Sequence, residues 1–185
     1  ALVTGSNGFM GHHLCNRLRE KGYVVRVLNR SRDSNWPDSL ELDLSSENWP
    51  INPCENISVV FHLAGKAHAL SETAKDIDNY REVNTEGTRR LLCAAKEANV
   101  DRFIFFSSVK AVSDEVNQPI DETVTETPET PYGQSKLDAE KLVLHGGYVP
   151  LPVVLRPCMV YGSTHKGNLP RMIKAVRKGL FPPLP

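Results

Sequence analysis

The chain has 185 residues and balances 22 Lys and Arg against 22 Asp and Glu, so its formal net charge at pH 7 is zero. This balance argues against a nucleic-acid partner, which requires a basic face, and gives no reason to expect attraction to an anionic membrane. With 40% hydrophobic and 24% charged residues, the composition is ordinary for a soluble globular protein. The length suggests one domain and a fraction of a second.

Short apolar runs alternate with longer helical patterns along the whole chain. We expect strands at 1–3, 23–28, 57–63, 102–106 and 153–155, and helices at 8–21, 77–97, 131–144 and 168–178. Segments 30–37 and 116–131 are expected to be loops. Such alternation, with nearly continuous apolar strands, is typical of an α/β fold with a doubly wound parallel sheet covered on both faces. Ligands bind such sheets at the carboxyl ends of the strands.

The four cysteines are far apart and include no Cys-x-x-Cys pair, which argues against a disulfide framework or a zinc knuckle. Scattered thiols of this kind are typical of a reducing compartment, so we expect a cytoplasmic protein. No apolar stretch in the sequence is long enough to span a bilayer. The histidines show no ligand spacing, and we expect no catalytic metal.

A glycine-rich turn follows the first strand, in the sequence Thr-Gly-Ser-Asn-Gly-Phe-Met-Gly. Gly5 permits a tight turn, Gly8 lets the backbone approach a pyrophosphate, and Gly11 allows close packing of helix on strand. The phosphate charge would then lie at the helix N-terminus. An ordinary strand-to-helix turn is the alternative, but the position between a strand and a helix favours a dinucleotide site.

The spacing Gly-x-x-Gly-x-x-Gly resembles the short-chain dehydrogenase/reductase superfamily. The form Thr-Gly-x-x-Gly-Phe-x-Gly resembles its extended branch, the nucleotide-sugar epimerases, dehydratases and reductases. Further segments resemble the same branch: they are Asp43-Leu44, 61–65, 83–88, the Pro-Tyr-Gly-x-Ser-Lys run at 131–136, and the Arg-Pro-x-x-Val-Tyr-Gly run at 156–162. The resemblance implies a Rossmann-type dinucleotide-binding domain at 1–162. It also implies that 163–185 begins a small substrate-binding lobe, truncated because two-domain members are longer.

The resemblance also implies the cofactor-binding residues. They are Gly5, Ser6, Asn7, Gly8, Phe9, Met10, Asn29, Arg30, Asp43, Leu44, Leu63, Ala64, Gly65, Tyr132, Lys136 and Pro157. Asn29 ends the second strand, where such folds usually place an acid on the adenosine ribose. With Arg30 and Arg32 beside it, the sequence favours NADP over NAD, although both arginines could simply be solvated.

Tyr132 and Lys136 are four residues apart, so on a helix they share one face. A cationic Lys136 would lower the pKa of the phenol and make Tyr132 an acid/base at neutral pH. The resemblance points to Ser108 as the third catalytic residue, contacting the same substrate oxygen. The neighbouring Ser107 is expected to be a capping or structural hydroxyl.

On the substrate side, the resemblance implies that Asn168 and Leu169, at the start of the last helix, contact the diphosphate or base of the substrate. An ordinary helix N-cap is the alternative for Asn168. Many epimerases carry Asn at the position of Met159, so one substrate contact is missing or altered. Val109 and Lys110 stand where a dehydratase has acidic residues, which argues against dehydration.

The implied function is a nucleotide-sugar 4-epimerase of the UDP-glucose or UDP-N-acetylhexosamine type, working by hydride transfer. One alternative is an NAD(P)H-dependent UDP-4-keto-6-deoxyhexose reductase of surface-polysaccharide synthesis. A second is a catalytically inactive nucleotide-binding module, against which the intact catalytic residues argue. The expected partners are a UDP-linked sugar and a second copy of the chain, paired through the long helix and the helix that carries Tyr132.

Overall fold

The structure is a computed structural model that describes residues 1–66, 74–114, 119–162 and 168–180, the side chains of 74–76 and 168–171 excepted. Six parallel strands form one sheet in the order β3-β2-β1-β4-β5-β6. The strands are β1 (Leu2–Thr4), β2 (Arg26–Asn29), β3 (Ser39–Glu41), β4 (Val59–His62), β5 (Arg102–Phe106) and β6 (Leu151–Leu155). This is the Rossmann strand order, and the predicted doubly wound sheet is confirmed.

Helices connect the strands across both faces of the sheet. They are α1 (Phe9–Glu20), α2 (Ala74–Tyr80), α3 (Gly87–Glu97), α4 (Pro131–His145) and α5 (Asn168–Arg177). A π-helical segment, Arg81–Glu86, joins α2 to α3, and a 3₁₀ turn, Val109–Ala111, follows β5. In the described part of the chain, none of these helices combines the length and apolar character needed to cross a membrane.

Alternate residues of the central strands supply two separate cores because successive strand side chains point to opposite faces. On β1, Val3 joins the core under α1, whereas Leu2 joins the core under α3 and α4. The α1 core holds Val3, Cys15, Leu18, Val25, Val27 and Trp36. The larger core includes Leu2, Leu28, Val60, Leu91, Leu92, Phe103, Phe105, Ala139 and Val143. Both faces of the sheet centre are therefore covered.

The largest differences from the predicted strands are at β2 and β3. The second strand begins at Arg26 rather than at residue 23, because its first partner in β1 is Leu2, and Tyr23 and Val24 remain exposed before the sheet. β3 was not delimited from the sequence, since only one of its residues, Leu40, is a large apolar one. The expected helices at 8–21, 131–144 and 168–178 match α1, α4 and α5 within two residues.

The glycine turn closes tightly against the next strand of the sheet. Gly5 has φ +73°, and a Cβ there would lie 2.8 Å from the backbone nitrogen of Ala64. A Cβ on Gly11 would overlap the carbonyl of Gly5. Both positions therefore require glycine, as the spacing predicts.

A chain of buried hydrogen bonds connects β1, β4 and α3. The Thr4 hydroxyl accepts from the backbone N–H groups of Leu63 and Ala64 at 3.2 and 3.0 Å, so it donates its own proton to Nδ1 of His62 at 2.7 Å. Nε2 of His62 then donates to Thr88 at 3.0 Å, because the Thr88 hydroxyl donates to a backbone carbonyl. His62 is thus a neutral imidazole with its proton on Nε2. Burial, together with the nearby Lys136, lowers the pKa of His62 to about 3.

This buried histidine predicts that stability falls in mild acid. The unfolded chain binds a proton at His62 below about pH 6.5, whereas the folded chain does not until about pH 3. The free energy of unfolding should therefore decrease by up to about 1.4 kcal/mol per pH unit in that window from this group. The free energy of unfolding, measured by urea titration at several pH values, should change less with pH in His62→Gln than in the wild type. In the exposed control His12→Gln, it should change with pH as in the wild type. The same pH dependence of the unfolding free energy in the wild type and in His62→Gln would contradict the assignment of His62 as a buried neutral imidazole.

The glycine turn yields a second prediction, with a control inside the same chain. Gly22 also has a positive φ, +82°, but no atom lies within 4 Å of a Cβ placed there. Gly22→Ala should lose about 1 kcal/mol through backbone strain alone. Gly5→Ala should lose distinctly more, because the methyl also displaces Ala64. Denaturant unfolding compares the two variants, and equal losses would show that the contact at Gly5 is easily relieved.

Candidate active site

A cleft of about 810 Å³ opens at the carboxyl ends of β1, β2 and β4. It lies where the connections leave the sheet towards opposite faces, which is the usual ligand position in this topology. Predicted cofactor residues line it: Gly5, Asn7, Gly8, Asn29, Arg30, Asp43, Leu44, Leu63, Ala64 and Gly65. This cleft, called the larger cleft below, extends to Val83 and so brings together residues that are up to 78 positions apart in sequence.

The start of α1 suits a phosphate. Gly8 is the N-cap residue, and within the described residues no side chain caps the helix start. The first backbone N–H groups of the helix are thus available to an anion, with the positive end of the helix dipole behind them. Because glycine has no side chain, Gly5 and Gly8 leave room for a pyrophosphate. The residues present therefore fit a dinucleotide, with its phosphates on the glycine turn.

Next to the larger cleft, β2 ends without an acid. Asn29 is buried, and its amide donates to the Ser6 hydroxyl at 2.8 Å, which ties the end of β2 to the glycine turn. Ser6 supports the turn in this way and does not line the cleft. Hydrogen bonds from the Ser45 backbone and hydroxyl, with the nearby Arg30 cation, lower the pKa of Asp43. Arg30 lines the cleft, whereas Arg32 is exposed outside it.

A smaller cleft of about 340 Å³ adjoins the larger one and shares Gly5, Gly8 and Leu63 with it. The remaining walls come from the first turn of α1, the end of β5, the start of α4 and the segment after β6. These walls include Phe9, Met10, Ser107, Ser108, Tyr132, Pro157 and Cys158. The predicted catalytic serine and tyrosine therefore meet beside the predicted cofactor site.

The hydroxyls of Ser108 and Tyr132 interact directly. Ser108 accepts from the backbone N–H of Lys110 at 3.2 Å, which leaves its own proton for the phenol oxygen. Burial raises the pKa of Tyr132, and the hydrogen bond from Ser108 offsets only part of that effect. The expected lowering of this pKa by Lys136 is wrong for this structure. Tyr132 keeps its proton at neutral pH.

Lys136 is buried beneath the end of β5, and its ammonium points away from solvent. It donates to the carbonyl of Phe106 at 2.8 Å and lies 4.1 Å from the centre of the Phe105 ring. A buried ammonium takes the nearest acceptor, and here that acceptor is a strand carbonyl rather than the phenol. Burial lowers the pKa of Lys136 to about 7, and the Glu140 carboxylate acts in the opposite direction.

The start of α4 is fixed by a residue that the sequence did not single out. Asp114 accepts from the backbone N–H groups of Glu129 and Thr130 and from the Thr130 hydroxyl, at 2.6, 3.0 and 2.6 Å. Thr130 in turn caps α4 by accepting from the N–H of Gly133. Asp114 follows the segment that carries Ser108, so this clamp sets the distance between Ser108 and Tyr132. A single acid two residues before the expected loop at 116–131 has no sequence signature of its own.

Ser107 differs from the sequence expectation. The capping hydroxyl of the 3₁₀ turn belongs to Ser108, whereas Ser107 has a buried hydroxyl without a hydrogen-bond partner among the described residues. The sequence pattern does not show which of two adjacent serines is the capping residue. The direction of the backbone at the end of β5 decides which hydroxyl faces the backbone N–H groups of the 3₁₀ turn.

The predicted substrate contacts and the predicted substrate-binding lobe concern residues that the structure does not fully describe. The side chains of Asn168 and Leu169 lie outside the described residues, so their predicted substrate contacts stay predictions, as does a lobe at 163–185. Within the described ranges, no three His, Cys, Asp or Glu side chains come together as a metal site would require.

The chain is similar to proteins of known activity. The chain is 36% identical to a UDP-glucose 4-epimerase of Vibrio cholerae over its whole length, and it covers 58% of that protein. It is 28% identical to a 2-alkyl-3-oxoalkanoate reductase of Stenotrophomonas maltophilia (strain K279a), with 96% of this chain and 56% of the relative covered. The solved structure of MoeE5 with UDP-glucose and NAD superposes with a TM-score of 0.81 at 32% identity, covering 96% of this chain and 61% of that one.

The chain thus spans about 60% of the length of these relatives. The description of the matching family is "NAD dependent epimerase/dehydratase family", and its model matches residues 1–184. The glycine turn, the strand-end residues and the serine–tyrosine pair lie in the adjoining clefts described above. The chain belongs to the NAD dependent epimerase/dehydratase family.

Proposed function

We propose that the protein is a nucleotide-sugar 4-epimerase acting on a UDP-hexose through a Ser108, Tyr132 and Lys136 site. The observation that carries the proposal is the hydrogen-bonded Ser108–Tyr132 pair in the smaller cleft, which shares walls with the dinucleotide-sized larger cleft. The similarity to the Vibrio cholerae UDP-glucose 4-epimerase, and to MoeE5 with bound UDP-glucose and NAD, supports a UDP-linked hexose.

The chain supplies proton transfer and positioning. A bound nicotinamide ring supplies the hydride acceptor and donor for the sugar carbon. In its phenolate form Tyr132 takes the proton of the sugar 4-hydroxyl during oxidation and returns it during reduction, so the phenol must give up its own proton before oxidation begins. Ser108 would turn the proton that it donates to the Tyr132 oxygen towards the same sugar oxygen and hold that oxygen by a hydrogen bond. Lys136 contributes a buried positive charge beside the site, but this charge does not offset the burial that raises the pKa of Tyr132.

Replacing Tyr132 by Phe separates catalysis from cofactor binding. Tyr132→Phe removes only the hydroxyl and keeps the ring that packs edge-on against Tyr80 at 5.7 Å between centroids. Interconversion of UDP-glucose and UDP-galactose should fall by about 10²–10⁴-fold, the usual contribution of an acid/base. NAD(P)H binding, measured by fluorescence, should change little. The matched control Tyr23→Phe alters an exposed tyrosine far from the clefts and should keep full activity. Undiminished turnover in Tyr132→Phe would overturn the mechanism.

The 28% identity to an oxoalkanoate reductase favours a ketoreductase as the second candidate function. The same residues would serve it, with Tyr132 donating its proton once as the carbonyl is reduced. The raised pKa of Tyr132 suits this direction, because the phenol holds its proton at neutral pH. An epimerase needs no net cofactor, whereas a reductase consumes one NAD(P)H per product. Measuring cofactor consumption against product formed therefore distinguishes the two.

For the cofactor, we propose a preference for NADP carried by Arg30. Arg30 lines the larger cleft, and the neighbouring Asn29 presents no carboxylate to repel a 2′-phosphate. Arg30→Ala should weaken NADPH binding by about 10- to 100-fold, the value of a charge-assisted hydrogen bond, and leave NADH binding nearly unchanged. Arg32→Ala, outside the cleft, is the matched control. Tighter binding of NADH than of NADPH by the wild type would contradict the preference.

A further inference from the structure

Glu140 is a buried carboxylate that the proposed chemistry does not use. It lies on α4, one helical turn after Lys136, and only 2% of its surface is exposed. Among the described residues, no other Asp or Glu is buried to this degree. A carboxylate in such a position is costly unless it is paired, so its retention calls for a physical reason.

The partner of Glu140 is Arg156, which directly follows β6. The guanidinium donates through Nε to both carboxylate oxygens at 3.1 Å and through Nη2 to Oε2 at 2.6 Å. The next residue, Pro157, lines the smaller cleft, and its carbonyl accepts from the N–H of Val109 at 3.3 Å. The ion pair therefore anchors one wall of the smaller cleft to the helix that carries Tyr132 and Lys136.

The Lys136 ammonium, unlike the Glu140 carboxylate, is in contact with uncharged groups. Its ammonium is buried between a strand carbonyl and an aromatic ring, and neither contact carries a full negative charge. Burial favours the neutral amine, which would lose the positive charge that the site requires, and it lowers the pKa of Lys136 to about 7. Glu140, four residues along the same helix face, is the group that raises this pKa.

The other elements packed around Lys136 supply few compensating charges. Phe105 and Phe106 on β5 and Asn84 in the π-helical segment are uncharged. The other titratable groups on these elements and beside them are Arg102 of β5, Arg81, Glu82 and Glu86 of the π-helical segment, Tyr132, Asp138, Lys141 and His145 of α4, His62 of β4, Lys66 after β4, Lys110 of the 3₁₀ turn, Asp114 beyond it and Arg156 after β6. The acids Glu82, Glu86 and Asp138 pair with Arg90, Arg89 and Lys141. Lys110 donates to the Asp114 backbone, and the Asp114 carboxylate is taken up by the start of α4. Among the described residues, Glu140 is thus the buried acid on the same helix as Lys136, one turn away from it and bound by Arg156.

We propose that Glu140 is a positioning residue for the reaction: its buried carboxylate, anchored by Arg156, keeps the Lys136 side chain protonated beside the smaller cleft. The inference rests on the proposed function in that Lys136 serves there as a cation. Arg156 holds the carboxylate in place and takes up enough of its charge to keep it ionised.

The direct test is an NMR titration of the lysine side chains, ¹³C-labelled at Cε, with the Lys136 signal assigned from its loss in Lys136→Arg. Glu140→Gln keeps the shape and still accepts from Arg156, but it removes the charge. The Lys136 midpoint should fall by about one pH unit or more. Asp138→Asn, also on α4 but with a side chain 56% exposed, removes the same charge and should leave the midpoint unchanged.

Glu140→Met combined with Arg156→Met removes the ion pair without leaving an unpaired charge, so it serves if Glu140→Gln does not fold. It should also lower the Lys136 midpoint. An unchanged midpoint in the folded variants would overturn the proposal. Because this readout needs no turnover, it stands apart from a failure of the proposed function.

Activity gives an independent check. At pH 6 the Glu140→Gln variant should retain most of its turnover, and by pH 8 it should fall about 10-fold behind the wild type as Lys136 loses its proton. A loss that is equal at every pH would indicate a merely structural role and would overturn the proposal.

Discussion

The side chain of Asn84 ties together the three segments that build the site. Its Oδ1 accepts from the Lys66 backbone at 2.7 Å, and its Nδ2 donates to the Lys66 carbonyl at 3.2 Å and the Ser135 hydroxyl at 3.0 Å. Lys66 ends the cofactor-cleft segment after β4, and Ser135 lies between Tyr132 and Lys136. The adjacent Gly65 must be glycine, since a Cβ there would lie 2.8 Å from Oδ1. This amide therefore links the segment after β4 to the helix that carries Tyr132 and Lys136.

Burial sets the charge of the groups gathered at this end of the sheet. His62 is held neutral by a hydrogen-bond chain that runs from Thr4 to Thr88, and Tyr132 keeps its proton. Lys136 is balanced between its two forms, so a single nearby carboxylate decides its state. The three effects have one cause: parallel strands end in a region covered on both sides, where each charge needs a specific partner.

The parts of this molecule that depend on local sequence patterns could be predicted from the sequence. The apolar strands, the helix periods and the glycine spacing at Gly5 and Gly11 predicted the sheet and the turn, because each follows from steric rules within a few residues. The π-helical segment was predicted as plain helix, since its cause is the contact of Asn84 with residues distant in sequence. Asp114, Glu140 and the orientation of Lys136 were missed or misjudged for the same reason: their roles arise only when separate segments pack together.

The central claim is that the serine–tyrosine site removes and restores hydrogen at one sugar carbon of a UDP-hexose. It is tested most directly with UDP-glucose deuterated at C4, with the product followed by NMR and mass spectrometry. The account predicts UDP-galactose that retains deuterium at C4, formed more slowly than from unlabelled substrate by a primary isotope effect. Product that has exchanged this deuterium with water, or a rate that is insensitive to the label, would contradict it.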